Sequence, residues 1–194
     1  MTLMLPPLKQ NHSPNFNSRA GTKIDLLVEH DTQGGYSGAV FWLCNAHSDV
    51  SAHFVVKEDG SEATQLVPIS MRAWHACDFN SRSIGKEWSG YETQGYGEGQ
   101  LQANANITAW LLHEYGIPPI WSQNGMEPGF CTHRDLGVMG GSHDDPFGDD
   151  ANDWLKYVAR VQEAYKNVTP GQVWGQHNPM LDSPMPSTRL ALRG

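Results

Sequence analysis

Two histidines and one aspartate carry the chemistry that residue type and spacing allow. His30 ends the apolar run LLVEH and opens into DTQGG, and His133 ends FCTH and opens into RDLG. Asp145 stands in SHDDP, beyond the glycine-rich loop that follows His133. Strand ends that open into loops are where open α/β sheets gather their ligands. Two imidazoles and one carboxylate, with a fourth position left to water, form a recurrent catalytic zinc arrangement. Other sets compete. Cys131 precedes His133 by two positions and on a strand would share its face, so it could replace Asp145 or simply be a buried core cysteine. His75 and Cys77 in AWHACDF form a similar pair. Asp144, Asp145, Asp149, Asp150 and Asp153 could hold a hard cation, but they lack the spacing of a calcium loop and the later ones suit a helix start. His53, within AHFVV, is expected to be structural and His113 to lie on a helix surface; His12, His47 and His177 receive no role. There is no G-x-S-x-G elbow, no P-loop and no G-x-G-x-x-G fingerprint.

The elements that must position these residues follow from periodicity. Lys23 to His30 alternates as a strand, and Ser37 is placed to cap a short helix running to Leu43. Ala52 to Val56 and Ala63 to Val67 are strands joined through Asp59-Gly60, a hairpin signal. Ile84 to Trp88 and Phe130 to His133 are short strands. Glu98 to Tyr115 has Leu101, Ala105, Thr108, Leu112 and Tyr115 on one helical face and is ended by Gly116 and Pro118. Asp153 to Tyr165 is a second amphipathic helix, with Trp154, Val158, Val161 and Tyr165 inward. The class is therefore α/β: a single domain with a central mixed β-sheet flanked by helices and a candidate zinc site at strand ends. The organisation is an N-terminal arm at 1–22, a catalytic domain at 23–167 and a Pro-rich tail or linker at 168–194.

Composition narrows the partners. The 194 residues hold 13 Lys+Arg against 21 Asp+Glu, a net charge of −8, which argues against nucleic acid because phosphate binding needs a clustered basic face. Seven Trp, six Tyr and six Phe supply a core. No apolar run reaches the roughly 20 residues a membrane span needs. The opening MTLMLPPLKQNHSPNF lacks a charged stretch followed by a long apolar one, so no signal peptide is read and synthesis in the cytoplasm is expected. Three cysteines cannot all pair within one chain, which leaves a Cys44–Cys77 bridge open. Oligomeric state is not readable, and a monomer is assumed.

In order along residues 13 to 165, the chain resembles the type 2 N-acetylmuramoyl-L-alanine amidases, the superfamily that includes phage endolysins and peptidoglycan-recognition proteins. The resemblance rests on SPNFNSRAG, LLVEHDTQGG, VSAHFVVKEDG with ATQLVP, AWHACDFNSRSIGKE, and CTHRDLG with SHDDP. It implies zinc held by His30, His133 and Asp145, the last because it stands before Pro146 as the family's third ligand does. It implies Glu87 as general base and His143 in the place where a lysine or threonine helps hold an oxyanion. Trp74, His75 and Asn80 match positions that line the substrate groove. The expected reaction is hydrolysis of the amide joining N-acetylmuramic acid to L-alanine in peptidoglycan, in the setting of a phage endolysin acting on the bacterial cell wall. The alternatives are a recycling amidase for soluble muropeptides and a binding module that does not cut. The chain departs from the family pattern at Glu29 and Lys86, which put charges where apolar strand residues are usual, and at Phe147, where glycine commonly follows the Asp-Pro pair. Alternation along the strand points Lys86 away from Glu87.

Overall fold

Alternation within two short strands decides which chemistry faces which way. The structure, a computed structural model, describes residues 3–147 and 151–175. Its elements are β1 (Leu8–Gln10), β2 (Phe16–Ser18), β3 (Leu26–Asp31), α1 (Tyr36–Leu43), β4 (Phe54–Val56), β5 (Ala63–Gln65), β6 (Met71–Ala73), β7 (Ser83–Trp88), α2 (Glu98–Glu114), β8 (Gly129–Thr132), α3 (Gly137–Gly140) and α4 (Ala151–Lys166). Six strands form one mixed sheet in the order β1-β5-β4-β7-β3-β8, and β2 pairs with β6 in a separate antiparallel ribbon. Within the large sheet only β4 and β5 run antiparallel, as the Asp59-Gly60 hairpin requires. The architecture is the mixed α/β domain that the sequence led us to expect.

The central strands β3 and β7 pair in parallel, with Glu29 opposite Lys86 and His30 opposite Glu87. Side chains alternate across a strand, so one face takes Leu27, Glu29, Ile84, Lys86 and Trp88 and the other takes Val28, His30, Gly85 and Glu87. The first face packs under α2 and α4, where Leu27, Phe54, Ile84, Trp88 and Phe130 meet Ile107, Leu111, Tyr157 and Val161. The second carries a smaller cluster of Leu26, Val28, Ala76, Phe79, Cys131 and Leu136 beneath the loops. Cys131 is therefore a core residue, and burial pushes its thiol well up. All three cysteines are free thiols, so Cys44 and Cys77 are not bridged.

Several elements differ from the sequence pattern for identifiable reasons. Helix α1 starts at Tyr36 after Gly35 rather than from a Ser37 cap; Glu58, from the β4–β5 hairpin, accepts the Tyr36 backbone N–H at 2.7 Å instead. Helix α2 is buried on nearly every side from Ala103 to Leu112, because the sheet, α4 and both described ends of the chain enclose it. Residues 3–22 contribute β1 and β2, and Leu3 is buried. After α4, Gln172 donates to the Leu3 carbonyl at 2.6 Å, and the Trp174 indole donates to the Pro6 carbonyl at 2.8 Å. Trp174 lies against Phe54 and Trp110 and is 1% exposed. Asp149, Asp150 and His177 lie outside the described residues, as does most of the Pro-rich tail. Among the described residues no helix is long and apolar enough to cross a membrane.

Candidate metal centre and groove

The ends of β3 and β8 bring together the three residues that spacing singled out. His30 Nδ1 and His133 Nδ1 stand 2.9 Å apart. The Asp145 carboxylate reaches both: Oδ2 lies 3.6 Å from His30 Nδ1, and Oδ1 lies 3.3 Å from His133 Nδ1. One ligand atom from each residue falls within 4.8 Å of the other two, and all three residues are buried. The loop carrying Asp145 is folded back onto β3, where the Asp31 backbone N–H donates to Asp145 Oδ2 at 3.1 Å. Arg134 N–H also donates to the Asp145 carbonyl at 3.2 Å, so both ends of the loop are tied.

The electrostatics suit a cation. Burial, reinforced by the neighbouring His133, lowers His30 to about 4, against an opposing pull from Asp145. The ring is therefore neutral at neutral pH, with a lone pair on one nitrogen and a hydrogen on the other. Burial alone would raise Asp145, but hydrogen bonds and charge from His133 and His30 hold its carboxyl far below the usual range. His133 Nε2 lies 2.7 Å from the Gly140 carbonyl, which only accepts, so Nε2 carries a hydrogen and Nδ1 is the ring atom left to face the cluster. Three buried acceptors thus face one point. Zinc takes nitrogen and carboxylate ligands of this kind, with another position left for water.

Glu87 sits beside His30 in the paired register and lines the same groove. Burial raises its carboxyl well above the ordinary value, and the charges of Asp145 and Asp31 push in the same direction. His143 is stacked on His133, with centroids 4.3 Å apart and planes 11° from parallel. Its side chain is 59% exposed, and its Nδ1 is 3.7 Å from Asp145 Oδ1. The groove has a volume of about 410 Å³, and Trp42, Val50 and Trp74 are among the residues that line it. Asp144 lines it as well, while Asp153 pairs with Lys156 on the surface of α4.

His75 lines the groove and also touches the cluster: its Nδ1 is 3.0 Å from His30 Nε2. Asn80 does not reach the groove wall. Its Oδ1 accepts the backbone N–H groups of His75 and Ala76 at 2.9 and 2.6 Å and so holds the loop that carries His75. His53 is fully buried; its Nδ1 accepts the Gly85 N–H at 2.9 Å and its Nε2 lies 3.0 Å from the Met71 carbonyl. Burial and the charge of Arg19 keep it neutral. Arg19 itself, to which sequence reasoning gave no role, ties Ile69, Asn80, Ser81 and Ser83 together through their carbonyls.

Gly85 was legible only as a letter of the SIGKE motif. In the fold the His75 ring lies over it, and a Cβ there would stand 2.6 Å from ring atoms. Gly85→Ala is expected to destabilise the protein by about 1–3 kcal/mol, the usual cost of overpacking a tight site. Denaturant titration measures it, and an unchanged midpoint would show that the ring can move aside freely.

The Amidase_2 family model, described as N-acetylmuramoyl-L-alanine amidase, matches residues 20–148. The chain is 40% identical over 130 residues to the 1,6-anhydro-N-acetylmuramyl-L-alanine amidase AmpD of Salmonella typhimurium, a match covering 53% of this chain and 69% of that one. It is 28% identical over 122 residues to N-acetylmuramoyl-L-alanine amidase A of Achromobacter lyticus, covering 62% and 67%. Among solved structures, the fold is similar to that of the Staphylococcus aureus hydrolase AmiA in complex with its ligand. The TM-score is 0.71 at 20% identity, with 87% of this chain and 89% of that one covered.

Proposed function

The chain belongs to the N-acetylmuramoyl-L-alanine amidase family and is an amidase, and from that premise we propose that it works as a zinc hydrolase on peptidoglycan. His30, His133 and Asp145 would hold the metal, and Glu87 would be the general base. The observation that carries this reading is the convergence of two imidazole Nδ1 atoms and one carboxylate at strand ends, with Glu87 in register beside them. When bound, the ion would supply Lewis acidity, which makes water nucleophilic near neutral pH and polarises the scissile carbonyl.

The protein groups do the rest. Glu87, raised by burial and by its acidic neighbours, takes a proton from the attacking water and returns it to the departing L-alanine nitrogen. His143, exposed at the groove and stacked on His133, donates toward the oxyanion as the tetrahedral state forms. Donors of that kind contribute about 3 kcal/mol each in other hydrolases. Trp74 and Trp42 wall the groove where the sugar and stem peptide would lie, and Asn80 sets the loop behind them. The catalytic unit is proposed as residues 23–167, with the arm and the segment after α4 laid against it.

The setting proposed is lysis of the bacterial wall, as by a phage endolysin. A second reading, recycling of soluble anhydro-muropeptides, is favoured by the 40% identity to the Salmonella amidase named for that substrate. Mass spectrometry of products from purified sacculi and from soluble anhydro-muropeptides, run side by side, separates the two. Prompt cleavage of sacculi supports the lytic role; turnover of soluble fragments alone overturns it. Stripping the metal with a chelator is expected to abolish release of L-alanine amino groups, and added zinc to restore it. Activity that survives complete removal of metal would rule out zinc dependence.

A further inference from the structure

We infer that His75 and Ser83 form a hydrogen-bonded relay that fixes the tautomer of His30 and so presents its Nδ1 to the metal. The inference rests on the reading of His30, His133 and Asp145 as the metal site.

The argument starts from an atom that can only accept. The Phe79 carbonyl lies 2.8 Å from Ser83 Oγ, so the single hydroxyl hydrogen of Ser83 goes to that carbonyl. Ser83 Oγ is also 3.2 Å from His75 Nε2, and with its hydrogen committed it accepts there. His75 must therefore carry its hydrogen on Nε2. A histidine that ligates a metal is neutral and keeps one ring hydrogen, and a neutral His75 with its hydrogen on Nε2 can only accept at Nδ1. The Nδ1 of His75 is then a lone pair, and His30 Nε2, 3.0 Å from it, must be the donor. That leaves His30 Nδ1 bare, pointing at His133 Nδ1 and Asp145.

The two ligand histidines thus reach the same state by different routes. His133 leans directly on the Gly140 carbonyl. His30 Nε2 instead meets a second imidazole, and a hydroxyl carries the constraint on to the Phe79 carbonyl. Gly85 provides room for that second ring, and Asn80 fixes its backbone. His75 is accordingly a positioning residue, whatever it also offers to a substrate. Outer partners of this kind are typically worth 10–100-fold in metal affinity.

The test uses the full chain and zinc alone. In the wild-type protein loaded with zinc, long-range ¹H–¹⁵N correlation should show His30 protonated on Nε2 and coordinating through Nδ1, with His75 protonated on Nε2. Competition with a chromophoric chelator should show His75→Ala weakening zinc by about 10–100-fold. His75→Asn, whose amide oxygen stands near the place of Nδ1, should restore most of the loss. Ser83→Ala should let the His75 ring exchange tautomers, whereas Ser83→Thr should not. Zinc binding by His75→Ala within twofold of wild type would overturn the relay, and so would His30 coordinating through Nε2. If the wild-type chain binds no zinc at all, the metal reading itself fails, a distinct result. The tautomer measurement needs no variant, so the inference stays testable even where a substitution fails to fold.

Discussion

Glu87→Gln is expected to bind zinc as wild type does and to lose about 10²–10⁴-fold in turnover, the range that general acid–base catalysis supplies. The carboxyl lies in the groove next to His30 but is not one of the three converging residues that could hold a metal. Glutamine keeps its shape and removes only its ability to take a proton. Burial and the charges of Asp145 and Asp31 raise Glu87, and a base of higher pKa pulls harder on the attacking water. Glutamine has no such capacity at any pH, so the loss should appear in kcat rather than in substrate binding. Metal content by elemental analysis, together with kcat on purified sacculi, decides the matter. Near-full activity in a zinc-loaded Glu87→Gln protein would move the base elsewhere. Falling metal content would make Glu87 a ligand instead.

The second large effect lies on the opposite face of the same strands. Glu29 and Lys86 form an ion pair at 2.9 Å with both side chains fully buried. Glu29 Oε2 also accepts the Trp88 indole N–H at 2.7 Å, while Oε1 accepts hydroxyls from Thr108 at 2.7 Å and Tyr157 at 2.9 Å. Lys86 donates to Asn104 Oδ1 at 2.5 Å and lies 4.9 Å from the centre of the Trp88 ring. Burial brings Lys86 down to about 8, with Glu29 pulling it back up. Lys86→Met strands a carboxylate in the core, and breaking a buried pair in this way costs about 3–5 kcal/mol. For a chain of this length that is a fall in Tm on the order of 10 °C. Adding Glu29→Gln should recover much of it, because a neutral amide can keep the Thr108, Tyr157 and Trp88 partners. Thermal melts of the single and double variants measure the coupling. A Lys86→Met protein within about 1 kcal/mol of wild type would show that Glu29 is held by its neutral partners alone.

That pair also explains the two departures from the family's sequence pattern. Read singly, Glu29 and Lys86 are charges in apolar positions; in the fold they are register partners and neutralise each other. Sequence alternation correctly turned Lys86 away from Glu87, but it could not supply the partner, because register between distant strands is set by packing. The main elements and the His30, His133 and Asp145 set were legible because each sits on a strong local signal: a strand end, a glycine-rich loop, an Asp-Pro step. The strands β1, β2 and β6 were not, since they lack a turn signal such as the Asp59-Gly60 that marks the equally short β4 and β5, and their hydrogen bonds come from elsewhere in the chain. The same limit hid Ser83, Gly85 and Arg19, whose importance lies in what crosses over them. Helix α2 looked one-sided in sequence because the residues that cover its remaining sides, such as Trp174, lie far along the chain.

The join between Leu3–Pro6 and Gln172–Trp174 also orders events during synthesis. β1 leaves the ribosome well over a hundred residues before the Trp174 indole that donates to the Pro6 carbonyl. Leu8 meets that returning segment too, since its side chain lies about where a Cβ on Gly175 would come into contact. The sheet edge can therefore zip early against β5 but cannot be sealed until elongation has passed Trp174. A nascent chain halted after α4 would carry His30, His133 and Asp145 under an unlatched edge. Synthesis through Trp174, rather than formation of the site, is what locks this fold.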